Sequence, residues 1–103
     1  MKQVKLRGQT VDIDTKEKIL YMKILKPNGK TFSISDRIVD YVNKGYAVHV
    51  EVLGKVQIIT NMSKCFKEEE VTSKFAGYQS WYRYWFMIDN EPIKDKPKQE
   101  SLW

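Results

Sequence analysis

Over much of residues 4–60 apolar and polar positions alternate with a period of two, the pattern of strands that bury one face. Val4-Lys5-Leu6-Arg7 opens it, and after Gly8 the apolar parity shifts to Val11 and Ile13. A bulge or tight turn at Gly8 explains the slip, because glycine tolerates the dihedrals required. A second strand over Lys18 to Lys26 places Leu20, Met22 and Ile24 on one face and Tyr21 and Lys23 on the other. Pro27-Asn28-Gly29-Lys30 is a hairpin signal, since Asn-Gly supplies positive φ angles. The returning strand is expected from Thr31 to Ile34, with a three-residue loop bringing Phe32 and Ile34 to the face of Ile24.

The period then changes. Ile38, Tyr41 and Val42 recur at helical spacing, and Gly45 is a natural stop. Ser33 or Ser35 caps this helix: Ser33 and Asp36 have capping-box spacing, while a cap at Ser35 makes Ile34 and Val39 a hydrophobic staple. Val48, Val50 and Val52 alternate with Ala47, His49 and Glu51, and Gly54-Lys55 turns the chain into a further strand over Val56 to Thr60. Residues 62–79 are expected as a short helix or ordered loop. From Ser80 to Asp89 the chain becomes aromatic, and strand and helix periods both fit. Aromatic enrichment and the flanking Gly77 and Pro92 favour a strand.

Three strands, a helix and two strands is an order that resembles the OB fold, a five-stranded barrel with its helix between strands 3 and 4. The resemblance covers about residues 4–61 and rests on element order. It implies a mainly β domain over residues 1–92, with an added aromatic strand and a flexible tail over 93–103. An SH3-like barrel and a small α+β sheet are the alternatives.

Composition bounds the function. The 103 residues suit one domain, no apolar run is long enough for a membrane span, and Met1-Lys2-Gln3-Val4-Lys5, with no apolar stretch after its lysines, is not expected to be a secretory signal. One cysteine, Cys65, forms no internal disulfide, so a cytoplasmic setting is expected. Eighteen Lys plus Arg against thirteen Asp plus Glu gives a net charge of +5. Residues 1–35 carry eight of the bases and only Asp12, Asp14 and Glu17 as acids, an imbalance of the same size as the net charge. Such an excess favours a polyanionic partner.

Chemistry is sparse. His49, opposite the valines, reads as a surface residue, and Cys65 beside Phe66 as a small hydrophobe. Asp12 and Asp14 share a strand face but are too few for a phosphoryl-transfer site. No glycine-rich phosphate loop or metal-spaced cluster occurs, so neither an enzyme nor a cofactor is expected.

Aromatic and basic residues carry more. Proteins that hold single strands combine a cationic track with aromatic faces on which bases stack. Trp81, Arg83 and Trp85 share one face of the expected last strand, and Tyr21 and Lys23 form a smaller pair on the second. With Lys5, Arg7, Lys26 and Lys30 of the first hairpin as phosphate contacts, these define an expected site for single-stranded DNA or RNA. The last five residues, Gln99-Glu100-Ser101-Leu102-Trp103, resemble the peptide with which bacterial polymerases and repair proteins bind the sliding clamp. Gln99, Ser101 and Leu102 match that pattern, and Trp103 stands where Phe is usual. The resemblance implies Gln99, Leu102 and Trp103 as anchors for a replication protein such as a clamp, polymerase or primase. The expected function is a single-stranded nucleic-acid-binding accessory protein of replication or repair, of the kind a mobile element carries. The alternative is a protein-binding small subunit or phage-type inhibitor that acts through an aromatic patch.

Overall fold

The computed structural model of the chain describes residues 1–71 and 80–93. Gly8 marks a tight turn and not a bulge. Arg7 and Gly8 both take positive φ, 52° and 82°, and link β1 (Lys2–Leu6) to β2 (Gln9–Asp14) as a two-residue hairpin. Such a turn matches the natural twist of antiparallel strands. It pairs Val4 with Val11 and so accounts for the parity slip. The carboxylate of Asp14 accepts the Lys16 and Glu17 amides at 3.1 and 3.0 Å and turns the chain into β3 (Ile19–Ile24). There Leu20 and Met22 are buried opposite Ile13 and Val11.

The expected second hairpin does not form. Asn28 and Thr31 do exchange backbone bonds of 2.8 and 3.0 Å around Gly29, so the reversal is real. The returning strand β4 (Thr31–Ser35) nevertheless leaves the sheet and pairs with the aromatic strand β8 (Ser80–Met87). Its burial explains why: Thr31, Phe32, Ile34 and Ser35 are all buried, which demands cover on both faces. A hairpin return on a one-faced sheet would leave half of them in water.

The free edge of β3 is taken by β5 (Ala47–Val52), which runs parallel to it. A parallel neighbour needs a crossover, here β4 followed by α1 (Asp36–Asn43). Ser35 is the N-cap residue, but its hydroxyl turns to the Leu6 carbonyl at 3.4 Å. At the other end the Gly45 amide donates to Val42 and the Tyr46 amide to Tyr41, both at 3.0 Å, with Gly45 at φ 94°. This double closure is a Schellman motif. Its hydrophobic contact is the edge-on packing of Tyr46 against Tyr41, 5.2 Å between ring centres. A second two-residue turn, Leu53-Gly54 with φ 51° and 77°, leads into β6 (Lys55–Ile59).

Among the described residues the fold is mainly β, with eight strands in two sheets, ordered β1-β2-β3-β5-β6 and β4-β8-β7. The five-stranded barrel expected from element order is not formed, and no closed barrel replaces it. β7 (Phe66–Val71) is a strand where a helix or loop was expected, and residues 80–87 are a strand as the aromatic enrichment favoured. One core lies between the sheets and the helix. It joins Leu20, Val48 and Val50 of the first sheet to Phe32, Ile34 and Phe86 of the second and Ile38 of α1.

Two glutamines tie the sheets together. The Gln9 carboxamide donates to the Ser33 carbonyl at 2.9 Å and accepts the Ser35 amide at 3.0 Å. The Gln57 carboxamide donates to the Met87 carbonyl at 3.0 Å and accepts the Asp89 amide at 3.2 Å. Each side chain thus takes the place of a peptide unit of a neighbouring strand. Because Thr31 pairs with Met87, the two glutamines grip opposite ends of the β4–β8 ribbon from β2 and β6. That ribbon therefore runs across the strands of the larger sheet.

Candidate nucleic-acid interface

β8 has aromatic residues on both faces, and the two faces have different tasks. Phe86 turns inward and stacks on Phe32 with centres 5.8 Å apart, while Tyr84 and Ile88 pack at the margin of the core. Trp81, Arg83 and Trp85 share the other face, as strand alternation requires. The Arg83 guanidinium lies 5.4 Å from the Trp81 ring centre and 5.7 Å from that of Trp85. Arg7 joins from the β1–β2 turn, its guanidinium 5.4 Å from the Trp81 centre on a second approach. The result is a row in which cations and indoles alternate: Arg7, Trp81, Arg83, Trp85.

Carboxylates hold both arginines. Arg7 Nε donates to Asp36 Oδ1 at 3.1 Å, and Asp36 Oδ2 accepts the Tyr82 amide at 3.2 Å. Asp36 therefore pins the first turn and the last strand to the start of α1, where a negative charge is favourable. Arg83 Nη1 lies 3.6 Å from Glu70 Oε1, brought beside it by the β7–β8 register. The side chains of both pairs are a quarter to a third exposed, so each pair contributes at most about 1 kcal/mol. Trp85 is 6% exposed and donates its indole N–H to Glu68 Oε1 at 3.3 Å. It is a packed residue, unavailable to a base, whereas Trp81 and Arg83 are half-buried. Around the strand, Lys67 stands 4.0 Å from the Tyr82 ring centre.

The remaining expected residues lie elsewhere. Tyr21 and Lys23 occupy the outer face of the five-stranded sheet, in a shallow depression shared with Gln3, Thr10, Asp12, His49 and Glu51. There Tyr21 meets His49 edge-on at 5.2 Å and Lys23 pairs with Glu51 at 3.2 Å. Lys5 is exposed on β1, and Lys26 and Lys30 are exposed in the β3–β4 connection. Gln99, Leu102 and Trp103, together with the expected flexible tail from 94 onward, fall outside the described residues.

Asp36, Glu68, Glu70 and Gln9 were not among the expected site residues. Asp36 carried only a capping signal, and the carboxylates of β7 become neighbours of the Trp row only through a strand pairing that Lys67-Glu68-Glu69-Glu70 does not advertise. Among the described residues no three His, Cys, Asp or Glu side chains group as a metal would require. Cys65 is half-buried and its thiol donates to the Met62 carbonyl at 3.0 Å. Burial pushes the Cys65 thiol up, against the smaller opposing pulls of its backbone hydrogen bond and the Lys67 charge. No helix among the described residues is long and apolar enough to cross a membrane. Comparison with known proteins returns no matching family model, no similar curated protein and no similar solved structure.

Proposed function

We propose that this chain is a single-stranded nucleic-acid-binding accessory protein of DNA replication or repair, and that it holds its ligand at the Arg7–Trp81–Arg83 cluster. The observation that carries this reading is two guanidiniums, each 5.4 Å from one half-buried indole and each paired with a partly exposed carboxylate. A base stacks on Trp81 while adjacent phosphates draw Arg7 and Arg83 from Asp36 and Glu70. Stacking of this kind contributes roughly 1–3 kcal/mol per base. The surplus of five positive charges raises the local concentration of any polyanion.

The size of the cluster narrows the ligand: one half-buried indole flanked by two guanidiniums holds one base and its adjacent phosphates. A single strand offers one base and few phosphates, which suits the site. Equilibrium titration into labelled single-stranded DNA, single-stranded RNA and duplex tests the reading. Single-strand preference supports it, and equal affinity for duplex counts against it.

A second reading, a protein-binding small subunit, is favoured by aliphatic side chains on the other sheet. Leu25, Leu53, Val56 and Ile58 are 80, 68, 59 and 51% exposed. It predicts capture of a protein partner with no nucleic-acid affinity.

A further inference from the structure

The two sheets have four outer strands among the described residues: β1 and β6 in the larger, β4 and β7 in the smaller. Open strand edges invite pairing with another chain, and proteins blunt them with charge or cover. Three of the four are blunted. β1 carries exposed Lys2 and Lys5, β7 is the charged run Lys67-Glu68-Glu69-Glu70, and the edge of β4 is taken by the Gln9 carboxamide. β6 has only Lys55 as a charge, and it presents Val56 and Ile58 to solvent at 59 and 51% exposure.

We infer that β6 is the docking edge for a second copy of this chain, paired antiparallel across a two-fold axis so that the five-stranded sheet continues from one protomer into the other. The strand is self-complementary in this arrangement. With the axis at Gln57, Val56 faces Ile58 of the second copy and Lys55 faces Ile59, so no like charges oppose. The same operation on β7 sets Glu68 against Glu70, and on β1 it crowds Lys2 and Lys5 of both copies along one edge. Cross-strand pairs of β-branched residues are favourable, and the exposed Leu53 at the adjoining turn extends the apolar contact. The strand is also held ready: Gln57 turns inward and is fixed by Met87 and Asp89. An open groove runs beside it, between Lys55, Val56 and Ile58 on one side and Ile88, Asp89 and Asn90 on the other. One strand pair with its flanking aliphatics is a small contact, of the size class of weak and transient complexes. The dimer is therefore expected in the micromolar range and not as an obligate form.

Sedimentation velocity of the full chain across that range is the test, combined with amide hydrogen exchange at low and high concentration. The expected result is a monomer–dimer shift, with residues 55–59 gaining protection as concentration rises. Ile58→Lys and, separately, Val56→Lys should abolish the shift while leaving circular dichroism and melting unchanged, because both side chains are exposed. A chain that stays monomeric through the high micromolar range overturns the inference. So does a dimer that survives both substitutions, or one whose added protection falls on β1 or β7.

Discussion

The guanidinium of Arg7 rests 5.4 Å from the ring centre of Trp81, which joins the first turn of the chain to its last described strand. Asp36 makes this meeting stable by binding Arg7 and the Tyr82 backbone at once. The two tryptophans of the row then divide in their roles. Trp85→Ala should cost about 3–5 kcal/mol of stability, the range for emptying a buried aromatic site. Trp81→Ala should cost less, about 1–2 kcal/mol, the scale of a partly desolvated cation–π contact, yet remove most single-strand affinity. Denaturant unfolding and anisotropy titration on both variants check the split. An exchange of these effects between the two positions would overturn the division of roles.

Salt dependence should be shallow. Arg7 and Arg83 are the phosphate contacts of the cluster, and each neutralised phosphate on a single strand contributes about −0.7 to the slope of log K against log salt, giving about −1.4 in all. Arg7→Gln and Arg83→Gln should each flatten the slope by about 0.7. Lys23→Gln should leave it unchanged, since Lys23 lies on the other sheet beside Glu51. A slope several times steeper would mean that the dispersed lysines carry the binding instead.

The glutamine clamps should be costly to remove. Gln9→Ala strands the Ser33 carbonyl and the Ser35 amide, and Gln57→Ala strands those of Met87 and Asp89. An unsatisfied buried polar group costs about 1–3 kcal/mol. The larger loss is expected at Gln9, because Ser35 is 2% exposed while Asp89 is exposed and can turn to water. Two strands separate β2 from β6 in the sheet, so the two losses should add. Urea unfolding of the single and double variants measures both points.

Cys65 should react slowly. Burial raises its ionisation above the ordinary thiol range, so at mildly alkaline pH the folded chain holds less thiolate than the unfolded one. Alkylation by iodoacetamide should be slower in buffer than in denaturant, with the gap closing as pH rises through the raised value. The linked stability is present in full below the ordinary thiol range and is lost as pH climbs through the folded value. Cys65→Ala should remove that loss. Equal alkylation rates in the two states would contradict the assignment.

Local pattern made much of the fold legible. The alternation through Leu20 and Met22, the valines of β5, the helix stop at Gly45 and the aromatic strand all follow from periods and turn residues close in the chain. What was hidden is long-range pairing. Asn28-Gly29 signals a reversal but not which strand the chain joins afterwards, and the buried pattern of β4 shows its two-sided cover only once β8 is known. The same holds for the site. The shared face of Trp81, Arg83 and Trp85 was readable from parity alone. The approach of Arg7, the hold of Asp36 and the burial of Trp85 depend on contacts between distant segments.

Binding at the Arg7–Trp81–Arg83 cluster can be read by titrating the protein into labelled single-stranded DNA at low salt, following anisotropy and tryptophan fluorescence together. Saturable binding with quenching of tryptophan emission is expected, both lost in Trp81→Ala while circular dichroism is retained. No binding at low salt, or binding that Trp81→Ala leaves intact, would contradict it.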